Sequence, residues 1–226
     1  MKKGAYCAYC GKEATTRDHV PPISFFPRPR TSELITVPCC TSCNEAFGFD
    51  DEYVKTIIAI RDDIGSHPQG MKLVESVFRA LGRKEAKGFQ EHISQSLKRA
   101  EIKSESGLFL GYRDIHTIDK NRLTSFVTRM ARGLFFYVFG QQIPSDYILT
   151  PAPFLDWNLE TLKTLASLIE KNNIQEIGEG VFRFGWTEAP DSPMSSLWYM
   201  DFFRAVPFGA IIRDSNAPIN NSGTTV

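Results

Sequence analysis

Four of the five cysteines in this 226-residue chain fall into two C-x2-C pairs, Cys7/Cys10 and Cys40/Cys43. Each pair turns two thiolates to one side, and together they supply the tetrahedral shell that a structural zinc takes. A shell of four protein ligands is closed, so the zinc itself is inert and any chemistry must come from residues between or beside the pairs. The odd count and the spacing suit a metal site in a reducing compartment better than disulfides, and the cytoplasm is the expected location. Cys39 could compete with Cys40, but the register with Cys43 selects Cys40 and leaves Cys39 as a small buried residue. The blander alternative is that the cysteines are simply buried apolar side chains.

Between the pairs stands TTRDHVPPISFF, residues 15–26, and the last cysteine is followed at once by Asn44. The full order is Cys7-x2-Cys10, seven residues, Asp18-His19-Val20-x-Pro22, then Val37-Pro38-x-Cys40-x2-Cys43-Asn44. This arrangement resembles the His-Asn-His (HNH) endonuclease superfamily in its zinc-stapled form, over residues 5 to 55, about a quarter of the chain. The resemblance implies a ββα-metal unit: a hairpin whose first strand ends at Asp18 and His19, a second strand near Ile35 to Pro38, and a helix beginning close to Cys43. It also implies roles. His19 is the general base, and Asp18 and the Asn44 side-chain oxygen hold a catalytic Mg²⁺ or Mn²⁺ with positions left open for water and phosphate. Imidazole suits that task, since a neutral ring accepts a proton from water at neutral pH. The chain departs from the family at the middle asparagine, whose place falls at Ile35 beside Thr36; Thr36, Ser32 or a backbone carbonyl is left to hold the His19 ring.

Arg17 adjoins the Asp-His pair, and Arg28 and Arg30 follow Phe25, Phe26 and Pro27, where they could grip phosphates on either side of a scissile bond; a solvated loop is the plain alternative. Glu45, Asp50, Asp51 and Glu52 read as an acidic first helical turn opposing the helix dipole rather than as extra ligands. His67, His92 and His116 have no partner motif.

The elements that must position these residues form an α+β chain: a small zinc-stabilised ββα-metal module over 1–55, a mainly helical region ending in an antiparallel sheet over 56–214, and a small polar tail over 215–226. Helices are expected from Asp50 to near Gly65, from Met71 to Leu81, from Phe89 to Ala100 and from Leu159 to Lys171. The clearest is a core helix with Leu123, Phe126, Val127, Met130, Ala131, Leu134, Phe135 and Val138 at helical spacing and Arg122, Arg129 and Arg132 on a solvated polar face. Residues 107–118 look strand-like, and after Gly178 the period becomes two, giving about three strands.

The net charge of zero conceals segregation: residues 1–43 carry +3, 44–70 carry −4, 71–133 carry +6 and 134–226 carry −5. A polyanion would meet the first and third segments, so neutrality does not argue against nucleic acid. No apolar run is long enough to span a bilayer, and no secretory signal precedes Cys7. The expected function is hydrolysis of DNA phosphodiester bonds by an HNH-type endonuclease. The alternatives are a zinc-stabilised nucleic-acid-binding or interaction module without catalysis, and an HNH-type nuclease acting on RNA. The region after residue 55 is left to position substrate, bind a partner protein or form a homodimer.

Overall fold

The computed structural model describes residues 5–30, 33–153, 161, 164, 167–169 and 174–217. Strands β1 (Thr16–His19) and β2 (Thr36–Cys39) pair antiparallel, with Asp18 opposite Val37 and His19 opposite Thr36. Successive side chains leave a strand on opposite faces, so Asp18 is buried while Arg17 is exposed and His19 half-buried. From β2 the chain passes directly into helix α1 (Thr41–Ala59). This helix starts at Thr41 and not at Asp50, because its first turns are exposed and carry no apolar stripe for periodicity to register. Asp50, Asp51 and Glu52 therefore lie within α1 and do not form its first turn.

Helix α2 (Pro68–Leu81) opens with Pro68 in its first turn and with His67 Nδ1 accepting from the Gln69 N–H at 3.2 Å, which gives that histidine a capping role. Helix α3 (Lys87–Gln95) stops short of Ala100. Residues 97–103 instead form β3 (Leu97–Lys103), paired antiparallel with β4 (Phe109–His116). Neither a helical nor a strand period dominates that stretch, and pairing with β4 decides its state.

Helix α4 (Lys120–Phe139) is the core helix. The Asp119 carboxylate accepts from the Asn121 and Arg122 N–H groups at its start, and Gly140 ends it in the left-handed conformation at φ +71°. It packs under a five-stranded antiparallel sheet of order β5-β9-β8-β7-β6, made of β5 (Tyr147–Ala152), β6 (Gln175–Ile177), β7 (Phe182–Ala189), β8 (Ser192–Phe202) and β9 (Val206–Asp214). Period two identifies β7, β8 and β9. The two additional strands take the edges, where β5 tolerates Pro151.

The core runs without a break from the cysteine-bearing segment into the rest of the chain. The Phe25 ring lies 5.6 Å from Phe126 on α4 and 4.9 Å from Phe202 on β8. A Cβ at Gly133 would sit 2.6 Å from Val20 Cγ2 and 3.0 Å from the Tyr9 hydroxyl, so glycine is what lets α4 approach the hairpin this closely. The boundary expected at residue 55 falls inside α1, and the hairpin rests on α4. The helix expected from Leu159 to Lys171 lies largely outside the described residues, as does the tail from residue 218 onward. No helix among the described residues is long and apolar enough to cross a membrane.

Candidate active site and metal clamp

The turn before β1 and the start of α1 bring the four paired cysteines together. Their sulfur atoms all lie within 4.8 Å of one another, with Cys10 Sγ 3.6 Å from Cys40 Sγ. A tetrahedral ion with metal–sulfur bonds of about 2.3 Å sets its sulfurs about 3.8 Å apart, so the donor set fits a metal such as zinc. Backbone bonds stiffen the clamp: Cys7 N–H donates to Lys12 O at 2.7 Å and Ala8 N–H to Pro38 O at 2.8 Å, tying the first turn to β2. Cys39 is fully buried, points its thiol at Cys40 O at 3.3 Å and stands outside the cluster.

Behind the hairpin lies a charged joint that sequence periodicity does not reveal. Arg129 of α4, 5% exposed, donates from Nη2 to Asp18 Oδ1 at 2.6 Å and from Nε to Asp18 Oδ2 at 3.1 Å. The same guanidinium also bonds Asp51 of α1, reaches the His19 carbonyl at 3.4 Å and stacks its centre 4.4 Å over the Phe47 ring. The Tyr9 hydroxyl donates to Asp18 Oδ2 at 2.5 Å. One cation thus ties β1, α1 and α4 through two carboxylates, and this arginine is buried where a solvated face was expected. Helix α4 is covered on more than its apolar stripe; Gly133, one turn beyond Arg129, is the one local sign of close approach on that side. Burial pushes the Asp51 carboxyl up to about 7, against the pull of Arg129. Burial, reinforced by the neighbouring Asp18 carboxylate, likewise raises the Tyr9 phenol.

This placement gives no support to the expected ligand role of Asp18. Both of its oxygens are engaged by Arg129 and Tyr9, and the residue is 4% exposed. Asn44 sits in the first turn of α1, where its Nδ2 donates to Thr16 Oγ1 at 3.4 Å. Asp18 as placed, with both oxygens engaged and the residue buried, offers no open position to a hydrated Mg²⁺ or Mn²⁺, whereas the contact of Asn44 uses its amide nitrogen and not its oxygen. Among the described residues, the four cysteines are the one group of His, Cys, Asp and Glu side chains spaced for a metal.

His19 ends β1 on the face opposite Asp18, half-buried. Neither ring nitrogen bonds a described residue. Thr36, the cross-strand neighbour, gives its hydroxyl to Arg17 instead, which donates to it from Nε at 2.9 Å and from Nη2 at 2.5 Å. Ser32 lies outside the described residues. Burial holds the His19 imidazolium below its ordinary value; Arg30 and Arg17 act in the same direction and Asp18 opposes them. Arg28 and Arg30 are exposed on the segment after Phe26, with Arg30 Nε donating to Phe26 O at 3.2 Å. Of the other histidines, His116 Nδ1 lies 2.7 Å from Ser96 Oγ.

No family model, curated protein or solved structure matches this chain.

Proposed function

We propose that this chain is an HNH-type nuclease that hydrolyses phosphodiester bonds of DNA, with His19 as general base. The observation that carries the reading is the state of that histidine. It ends a strand of the cysteine-clamped hairpin, its ring nitrogens are unengaged by described residues, and two arginines stand close enough to disfavour its protonation. A neutral, unengaged imidazole can take a proton from water at neutral pH, whereas a structural histidine spends its nitrogens on neighbours. The same arginines, Arg17 and Arg30, suit the non-bridging oxygens of the phosphate under attack. In the step so framed, water adds to phosphorus as His19 takes its proton, the P–O bond to the leaving oxygen breaks, and solvent protonates that oxygen. Arg129 is a positioning residue here, holding the end of β1 through Asp18 and the His19 carbonyl. A divalent cation would add charge stabilisation of the phosphorane, but with Asp18 engaged by Arg129 and Tyr9 no step is assigned to it.

The test is nicking of supercoiled plasmid in buffer containing Mg²⁺ or Mn²⁺, with an RNA substrate in parallel. His19→Ala should cut roughly 10²- to 10⁴-fold more slowly than wild type while retaining its zinc and its affinity for DNA. Cutting by His19→Ala at the wild-type rate removes His19 as the base. The engagement of Asp18 favours a second reading, a zinc-stabilised nucleic-acid-binding module without catalysis, which requires that wild type bind DNA and leave it intact.

A further inference from the structure

Residues 24–30 and the exposed side of α2 line a cavity of about 350 Å³. Its charged lining consists of Arg28, Arg30, Lys72 and Arg79 against one carboxylate, Glu75. No described carboxylate lies within ion-pair distance of Arg28, Lys72 or Arg79, although all three side chains are exposed. Four cations gathered around one acid repel one another, an arrangement that a polyanion relieves. Pro27 and Pro29 each have a fixed φ on either side of Arg28, which reduces the backbone freedom that a ligand would have to freeze. Lys72 and Arg79 are seven residues apart on α2, about 10.5 Å along its axis, a span of roughly three nucleotides of one strand. Phe26, the one aromatic residue in the wall, is 3% exposed and offers no ring face on which a base could stack.

From this we infer that the cavity between residues 24–30 and α2 is a backbone-binding groove for duplex DNA, in which Lys72 and Arg79 contact phosphates of the strand that Arg28 and Arg30 lead towards His19. The inference extends the proposed function by naming two further substrate-contacting residues and the side from which the duplex arrives. With no base-stacking surface and four cations, the groove reads phosphates and not sequence.

Fluorescence anisotropy of a labelled 20-base-pair duplex, titrated with protein at salt concentrations from about 50 to about 200 mM, tests it. Lys72→Gln and Arg79→Gln should each lower the magnitude of the salt slope by about one unit. Over that fourfold range, wild-type affinity should fall about 12-fold more than that of the double variant, at about 0.9 of a unit per phosphate contact. Glu75→Gln should bind more tightly than wild type, and Lys98→Gln, which removes an equal charge from β3 away from the groove, should keep the wild-type slope. Equal slopes for Lys98→Gln and the two groove variants would overturn the groove, as would competition by millimolar inorganic phosphate that depends on Lys72 while the DNA slope stays unchanged. The cleavage assay fails independently: reduced slopes with no cutting by wild type uphold the groove and refute the nuclease, and cutting that depends on His19 with unchanged slopes does the reverse.

Discussion

Replacing Arg129 with methionine would leave Asp18 and Asp51 side by side without their shared cation. Side-chain exposure is 5% for Arg129, 5% for Asp18 and 15% for Asp51, so water has little access to the place of the guanidinium unless the joint between β1, α1 and α4 opens. Removing one partner from a buried ion pair costs about 3–5 kcal/mol, most of it from the charge left behind. The joint holds two carboxylates and one guanidinium, so above about pH 7, where Asp51 is ionised, it carries one excess negative charge, and the direction of a substitution measured there therefore matters. Arg129→Met deepens the imbalance. Asp18→Asn removes it and keeps Arg129 on Asp51; its one oxygen can keep the bonds from Tyr9 and Arg129 Nε while its NH2 faces the Arg129 Nη2 donor, so it should cost the about 1–3 kcal/mol of an unsatisfied buried donor. Urea unfolding followed by the fluorescence of buried Trp198 measures both variants. In a chain of this size 1 kcal/mol corresponds to roughly 2–4 °C, so Arg129→Met should melt about 6–20 °C below wild type. Zinc content measured on the same samples separates loss of the joint from loss of the clamp. If Arg129→Met stays within about 1 kcal/mol of wild type, or if Asp18→Asn proves the more costly change, the charged joint is not what ties the hairpin to α4.

Two further outcomes follow from the same geometry. The purified protein should carry about one zinc per chain, and Cys43→Ser or chelation should unfold the hairpin and, through the Phe25 contacts with Phe126 and Phe202, loosen the core beyond it; folded protein without metal would refute the clamp. Asp51 gives a pH signature: its folded-state pKa of about 7 lies above the unfolded value near 4, so the folded state holds the extra proton in that window and stability falls as pH rises through it. The slope should reach at most about 1.4 kcal/mol per pH unit and disappear in Asp51→Asn, and an undiminished slope in that variant would assign the effect to another group.

The parts of this protein legible in the sequence are those fixed by short-range geometry. Two C-x2-C turns identify the clamp because ligand spacing is local, and alternation alone separates Asp18 from His19 on opposite faces of β1. The stripe from Leu123 to Val138 identifies α4, and period two identifies β7, β8 and β9. The tertiary structure decided what local pattern leaves open. Helix α1 begins at Thr41, twelve residues before Tyr53 opens its buried apolar stripe, because its first turn is set by the clamp and not by burial. Residues 97–100 become strand because β4 pairs with them. Arg129 reads from the sequence as one more cation on a polar face, and its burial is settled by Asp18 and Asp51, which lie 111 and 78 residues away along the chain. Through that contact the carboxylate that the resemblance assigned to a metal stands as half of an ion pair. Spacing along the chain could propose the residue for chemistry, but only the packing of α4 against the hairpin determines which partner its carboxylate meets.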